Sequence, residues 1–312
     1  MEFSHIPVLF EETIASLDIK PDGLYVDCTA GGGGHSKAIL EKLTSGKLIA
    51  IDRDPDAIEI LNGRLGSHRN IEIVHDTFNN IKAVLNGQKA DGILADLGVS
   101  SYQLDEASRG FSFHRDAVLD MRMSKEGESA KDLVNTLSVG ELTRIIRDYG
   151  EEKYANRIAN NIVLARQKKE ITTTFELIDI IKASMPQKAM RDSHPARRTF
   201  QALRIAVNGE LDQLNTALDD MFDCLKVGGV LSIITFHSLE DRMVKQRFSS
   251  FAEGCTCPKE FPVCVCGKTP CAKLTIKGKA PGEAELTSNP RSHSARLRSL
   301  VKLKEKDRER EE

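Results

Sequence analysis

The chain has 312 residues, of which 40% are apolar and 29% charged, a soluble globular composition that excludes fibrous repeats and wholesale disorder. No apolar run approaches the roughly 18 residues of a membrane-spanning helix, and the N-terminus lacks the basic start and apolar stretch of a signal peptide, so a cytoplasmic location is expected. Forty-four basic against 46 acidic residues leave a net charge of −2, which excludes polycationic binding of nucleic acid by the whole chain but not a local basic surface.

In chain order, residues 24–28 predict a strand, 35–43 a helix, and 47–52 a second strand. A helix over 55–65 follows, capped by Asp54 with Pro55 in its first turn, then strands over 71–75 and 91–97. Strand and helix alternating at this spacing predict parallel βαβ units in an open α/β sheet. The alternation then stops: no strand is predicted from Leu104 to Asn208. Ser138-Val139-Gly140-Glu141 and Thr173-Thr174-Phe175-Glu176 instead predict helix starts, and Ala155, Ile158, Ala159 and Ile162 form a stripe at helical period. A long helical stretch from Pro195 towards Leu225 is expected to bend at Gly209. Strand character returns at 229–236 and 295–303. The expected organisation is an α/β domain over 1–103 and 209–303, an inserted all-helical domain over 104–208, and a solvated charged tail over 304–312.

Asp27-Cys-Thr-Ala-Gly-Gly-Gly-Gly-His35 joins the first strand to its helix, and glycines there allow a ligand close to the backbone. Gly31, Gly33 and Ser36 fit a dinucleotide fingerprint only loosely. The acids narrow the ligand: Asp27, Asp52, Asp76 and Asp96 fall at or just beyond the ends of four strands, and Asp52, 21 residues after Gly31, can accept both ribose hydroxyls. No Lys or Arg enters the glycine loop. A rim of carboxylates repels a pyrophosphate but suits an adenosine carrying an ammonium and a sulfonium, which points to S-adenosylmethionine. Phe78 can either cover the adenine or pack in the core. An NAD-dependent oxidoreductase and a non-catalytic RNA-binding assembly factor are the competing classes.

Several blocks together resemble the bacterial MraW/RsmH family of S-adenosylmethionine-dependent methyltransferases, which act on cytosine N4 of 16S ribosomal RNA. They are the glycine loop through Ser36, Ile51-Asp-Arg-Asp54, Asp96-Leu-Gly-Val-Ser-Ser101, Arg109-Gly-Phe-Ser-Phe113, Leu119-Asp-Met-Arg-Met123, His194-Pro-Ala-Arg-Arg-Thr-Phe200 and Thr235-Phe-His-Ser-Leu-Glu-Asp-Arg242. The resemblance runs from His5 to Arg298 and implies a class I (Rossmann-like) methyltransferase sheet with an inserted helical domain for RNA. It implies that Gly33, Gly34 and His35 contact the methionine end of the cofactor, that Asp52 holds the ribose and Phe78 the adenine, and that Asp96 and Gln103 complete the pocket. The sequence departs from the family pattern at Tyr102 and Val118, where proline is expected, and at Ser124, where an acid is expected.

Methylating an exocyclic amine needs alignment and an acceptor for its protons, not a metal. Asp96 with the carbonyls of residues 97–99 is the expected orienting group, with Ser100 and Ser101 as secondary candidates; His237, just past a strand end, reads either as another proton acceptor or as a histidine hydrogen-bonded in a structural turn with Glu240 or Asp241. Tyr102, Phe111, Phe113 and Phe236 are candidate platforms for an unstacked base or core residues. For phosphate contact the candidates are Arg191, His194, Arg197, Arg198 and Arg204, with Lys188 beside them. A second basic stretch holds Arg291, Arg296 and Arg298. The expected partner is 16S ribosomal RNA in the small subunit or a late precursor, with monomer and dimer both open. Five cysteines crowd between Cys255 and Cys271; Cys255-x-Cys257, Cys264-x-Cys266 and Cys271 read either as a zinc loop or as metal-free thiols, and no metal is expected for catalysis.

Overall fold

A computed structural model describes residues 7–190, 194–255, 257–258, 260–263 and 265–306. It comprises two compact units: one ends its first segment at Gly98 and resumes at Asp212, and the other is Val99–Leu211. The strands are β1 (Leu24–Asp27), β2 (Lys47–Asp52), β3 (Ile71–His75), β4 (Ala90–Asp96), β5 (Leu225–Thr235), β6 (Ala272–Lys279) and β7 (Arg296–Lys302). The helices begin with α1 (Phe10–Ser16), α2 (Gly34–Leu40), α3 (Pro55–Leu65), α4 (Ile81–Leu85), α5 (Ser101–Asp105), α6 (Ala130–Thr136) and α7 (Val139–Asp148). They continue with α8 (Ala155–Arg166), α9 (Thr174–Ser184), α10 (Arg197–Asn208), α11 (Glu210–Cys224), α12 (Ser238–Ala252) and α13 (Glu283–Ser288).

The first unit carries one seven-stranded sheet in the order β3-β2-β1-β4-β5-β7-β6. β1 to β5 are parallel, and β7 runs antiparallel to both β5 and β6. This is the class I methyltransferase arrangement, an α/β fold. Successive strand residues face opposite ways: Tyr25, Leu48, Ala50 and Leu94 pack with Ile39, Leu61 and Leu65 on one side. Val26, Ile49, Ile51, Ile93 and Ala95 pack on the other with Ile81, Leu218, Phe222, Val244 and Phe248. Helices on both faces explain why β1, β2 and β4 read as unbroken apolar runs. The order in which strands are added reverses between β1 and β4, and the carboxyl ends of strands at such a switch point are where ligands bind in open α/β sheets.

Besides the helices α1, α4, α12 and α13, which were not predicted, and small shifts of element ends, the structure departs from the expectations above at three places in this unit. β5 begins at Leu225 rather than 229, because Leu225 pairs with Ala90 across an irregularity before regular pairing resumes at Val230. β6 was not expected: its outward residues include Lys273, Lys277 and Lys279, charges that protect an edge from further pairing while masking its strand character. The charged tail does not start as a solvated segment. Leu303 N–H donates to the carbonyl of Cys271, and the Lys306 ammonium lies 2.9 Å from both Asp219 and Asp223 and over the rings of Phe222 and Phe251. Residues 307–312 lie outside the described chain.

The second unit is helical, with a core built from Phe111, Leu119, Leu142, Ile146, Ile158, Ile162, Leu177, Ile181, Phe200 and Leu203. Among the described residues between Leu104 and Asn208 only an isolated bridge, Val118 to Thr173, has β character. Ser138 and Thr173 form reciprocal caps with Glu141 and Glu176. At Gly209 the backbone takes a left-handed φ of 59° that closes α10, so the long stretch becomes two helices. The 109–123 segment is fixed internally. Arg109, buried, donates to the carbonyls of Arg122 and Met123, and Asn208 both accepts from Met123 N–H and donates to the Met121 carbonyl.

Candidate active site

The carboxyl ends of the parallel strands bring Asp27, Asp52 and Asp96 to one rim of the sheet unit, since β1 pairs with β2 on one side and with β4 on the other. Asp27 ends β1 and is 1% exposed. Its carboxylate accepts from the Ser36 hydroxyl at 2.6 Å and from Thr29 N–H at 3.3 Å. Burial outweighs these bonds and, with the nearby Asp52 charge, pushes its pKa up to about 6.

Asp52, at the end of β2, organises the glycine loop. One of its oxygens accepts Gly31 N–H at 2.7 Å and the other Asp54 N–H at 2.8 Å; burial nonetheless holds its pKa above the ordinary value. Each carboxylate oxygen has two acceptor positions, so a second bond from a ribose hydroxyl remains available at each. Gly31 has a left-handed φ of 50°, which aims its N–H at Asp52. Gly33 shares that left-handed conformation, with a φ of 82°, and packing adds a second reason there and is the reason at Gly34. A Cβ on Gly33 would stand 3.1 Å from Leu61 and Leu65, and one on Gly34 only 2.4 Å from Pro7. Conformation and packing together account for the missing side chain of Gly33, and packing for that of Gly34.

Asp96 ends β4. Its N–H donates to the Thr29 hydroxyl at 2.6 Å, and its Oδ2 lies 3.8 Å from Nδ1 of His35. Oδ1 of Asp96 is buried with no hydrogen-bond partner among the described residues. Burial first, then the charges of Asp27 and Glu240, hold the Asp96 carboxyl well above the usual carboxylate range. His35 is itself buried, with its ring stacked 5.9 Å from Phe10. Three carboxyls with raised pKa values and one acceptor oxygen without a partner form a site complementary to a cation. This donor set fits the ammonium and sulfonium groups of S-adenosylmethionine, whereas no described basic side chain reaches the loop to hold a pyrophosphate except Arg64, which donates to the Gly32 carbonyl.

The remaining expected residues are placed as follows. Asp76 accepts Thr77 N–H and the Asn80 amide, both at 2.7 Å, and so caps the short turn that starts at Phe78. Phe78 is half-buried against the core face shared by Ile81 and Leu85, so it combines the packing and the surface reading. Ser100 and Gln103 belong to the helical unit, where they form the reciprocal cap of α5: Ser100 Oγ accepts Gln103 N–H, and Gln103 Oε1 accepts Ser100 N–H. His237 is the N-cap of α12. Nδ1 accepts Glu240 N–H at 3.4 Å, and Nε2 lies 3.0 Å from Glu240 Oε1, whose partner oxygen accepts Phe236 N–H. The geometry is that of the structural turn with Glu240, with Nδ1 serving as the cap acceptor.

In the helical unit, His194 stacks on Phe113 with centroids 4.5 Å apart and planes 16° from parallel, and Phe113 meets Phe200 edge-on. Burial, then the neighbouring His114 and Lys182, hold the His194 pKa below its ordinary value, so the ring is a neutral stacking surface at neutral pH. Phe111 is buried in the core and offers no platform. Arg197 and Arg198 are exposed, Arg198 donating to the Glu151 carbonyl. Arg204 corrects the expected phosphate set: its guanidinium makes a bidentate pair with Glu210 at 2.8 and 2.9 Å, with only 14% and 10% of the two side chains exposed. Arg191 and Cys264 lie outside the described residues. Arg298, from the second basic stretch, is likewise held bidentately by Asp241.

Thr29 and Ser36, the hydroxyl partners of Asp96 and Asp27, were missed as site residues. Both lie in the loop block quoted above, but their pairing appears only once the turn brings them beside the strand ends.

A family model described as the MraW methylase family matches residues 2–303. A protein named Ribosomal RNA small subunit methyltransferase H from Clostridium botulinum (strain Loch Maree / Type A3) is 54% identical over 309 residues, covering 97% of this chain and 100% of that protein. A protein of the same name from Lachnospira eligens is 55% identical over 311 residues, covering 97% and 99%. The crystal structure of an rRNA methylase from Streptococcus thermophilus aligns with a TM-score of 0.42 at 12% identity, over 94% of this chain and 93% of that one.

Proposed function

The chain belongs to the MraW methylase family, and from that premise we propose that it methylates the exocyclic N4 amine of a cytidine in the decoding region of 16S ribosomal RNA. Its cofactor is S-adenosylmethionine, which when bound supplies an electrophilic methyl group on a sulfonium. The relatives named as small-subunit ribosomal RNA methyltransferases support the RNA class; the substrate in this proposal is the assembled small subunit or a late precursor, in the cytoplasm.

The observation that carries the chemistry is Asp96: a carboxyl at the sheet's switch point, with one buried oxygen that no described residue satisfies. The lone pair of a cytosine amine is delocalised into the ring, so the amine must be turned towards the methyl group and its protons accepted. Asp96 Oδ1 accepts a hydrogen bond from N4–H and takes that proton as the nitrogen–carbon bond forms and the sulfur–methyl bond breaks, its electron pair going to sulfur and S-adenosylhomocysteine leaving. The positive charge of the bound cofactor favours the ionised form of Asp96, and a carboxylate whose pKa is raised is then a stronger base for this step. Fixing the amine in line supplies most of the acceleration, since near-attack positioning is worth on the order of 7–11 kcal/mol. Asp52 holds the ribose, the 33–35 backbone lies along the methionine end, and Phe78 lies along the adenine. On the helical unit, Arg197 and Arg198 hold phosphates, and the His194–Phe113 stack is an RNA-facing surface.

The test is methyl transfer from labelled S-adenosylmethionine to small subunits from cells lacking this protein, read by nucleoside mass spectrometry. Label in N4-methylcytidine that disappears with Asp96→Ala is expected. Label in another nucleoside overturns the cytosine-N4 assignment, and unchanged label in the variant overturns the role of Asp96.

A further inference from the structure

We propose that Cys255, Cys257 and Cys266 form a thiolate site for a soft d10 metal ion, zinc above all, in the segment between α12 and β6. Their sulfurs all lie within 4.8 Å of one another. The Cys255 and Cys266 sulfurs are 3.7 Å apart. A tetrahedral zinc centre with bonds of about 2.3 Å has sulfur–sulfur edges of about 3.8 Å, so this pair already stands at the separation of two ligands on one ion. A disulfide would need the same sulfurs at about 2.0 Å.

The surrounding backbone treats these sulfurs as acceptors. Cys257 N–H points at the Cys255 sulfur and Val265 N–H at the Cys257 sulfur, each at 3.4 Å. Amides aimed at sulfur stabilise thiolate over thiol and orient the ligand, as the outer shell of a metal site does. The one-residue spacer in Cys255-x-Cys257, awkward for a knuckle, is accommodated because the third ligand returns from nine residues further along the chain. Cys271 is not a member: its sulfur turns to the carbonyl of Glu305.

The segment also needs such a fastening. Phe261, Val263 and Val265 are 52%, 70% and 74% exposed, so the loop has little apolar burial of its own to define its path. Its ends are tied, Cys271 N–H donating to the Phe251 carbonyl, and contacts across its middle run through these sulfurs. Binding a divalent ion displaces one proton from each of the three thiols and closes the loop covalently. Three thiolates are soft donors that favour zinc or copper(I) over magnesium or calcium.

The full-length protein, purified with a phosphine reductant and without chelator, is incubated with zinc, desalted and analysed for metal by mass spectrometry. Cobalt(II) is added in parallel and read by its thiolate charge-transfer and tetrahedral d–d absorption. About one equivalent of zinc per chain is expected. The cobalt bands should vanish, and zinc fall at least tenfold, in Cys255→Ser/Cys266→Ser. Cys271→Ser, which leaves the cluster intact, should keep both. Wild-type protein that binds no zinc and gives no cobalt–thiolate band overturns the site. So does retention of metal by the double variant, or recovery of Cys255 and Cys266 as a disulfide from cells lysed in an alkylating agent. Circular dichroism on each variant separates metal loss from failure to fold.

Discussion

Asp52 Oδ2 accepts Gly31 N–H at 2.7 Å, joining the end of β2 to the loop that leaves β1. The same carboxylate receives Asp54 N–H through its other oxygen, so one side chain holds both the glycine loop and the start of α3. If it also receives the ribose hydroxyls, replacing it has two separable effects. Asp52→Ala should weaken S-adenosylmethionine binding at least tenfold and lower stability by about 1.5–3 kcal/mol for each charged hydrogen bond lost. Asp52→Asn keeps an acceptor for one of the two amides and should restore part of the stability but little of the affinity. Calorimetric titration with denaturant unfolding on both variants checks this; equal affinity in wild type and Asp52→Asn would remove Asp52 from the cofactor site.

The raised carboxyls predict a proton linkage. Asp27 has a folded pKa of about 6 against an ordinary 3.8, so the folded protein holds a proton there that the unfolded chain releases. Stability should therefore be greatest below about pH 4 as far as this group is concerned, and fall as pH rises from 4 to 6, by on the order of 3 kcal/mol at about 1.4 kcal/mol per pKa unit. A bound cation reverses the balance by favouring the charged carboxylates. S-adenosylmethionine affinity should rise with pH between 5 and 7, while S-adenosylhomocysteine, which lacks the sulfonium charge, should show a smaller rise. Titrations of the two ligands across that range measure it, and parallel pH profiles would mean that the carboxyls do not sense the sulfonium.

The parts of this architecture that depend on neighbouring residues were legible in the sequence. β2, β3 and α3 have the predicted bounds: β2 is a buried parallel strand with a continuous apolar run, the edge strand β3 alternates Ile71 and Ile73 with Glu72, and Asp54-Pro55 marks a helix start locally. What depends on residues meeting in space was not. Edge strand β6 is disguised by its lysines, and α12 begins at a histidine cap rather than at the usual serine or threonine. The pairing of Arg204 with Glu210 emerges only because α10 ends at the left-handed Gly209 and the chain turns. The acids at the strand ends could be counted from sequence; their hydroxyl partners, and the convergence of three cysteines, could not.

His237 separates a cap from a base. As the N-cap of α12 it accepts Glu240 N–H, a role that asparagine or serine also performs. His237→Asn should retain the methyl-transfer rate within about threefold, with an unaltered pH profile, while His237→Ala should cost about 1 kcal/mol of stability, the usual worth of a cap. Steady-state rates from pH 6 to 9 with thermal unfolding distinguish the cases. A hundredfold loss of rate in a stably folded His237→Asn protein, with one limb of the profile removed, would restore the ring to catalysis.

The arginines of the helical unit divide by their partners, and salt dependence reads the division. Arg197 and Arg198 are exposed, and each phosphate they contact should contribute about 0.7 to the slope of log affinity against log salt for single-stranded RNA. Arg197→Ala and Arg198→Ala should each lower that slope by about one contact, with a stability loss of no more than about 1 kcal/mol, the usual worth of an exposed contact such as the one Arg198 makes with the Glu151 carbonyl. Arg204 should behave in the opposite way. Removing it strands the Glu210 carboxylate in a site only 10% exposed, so Arg204→Ala should destabilise the protein by on the order of 3 kcal/mol and leave the slope unaltered. Binding to 16S RNA fragments at several salt concentrations, with urea unfolding of each variant, provides both numbers. An Arg204→Ala protein of wild-type stability with a flattened slope would show that the pair opens and that Arg204 turns to RNA after all.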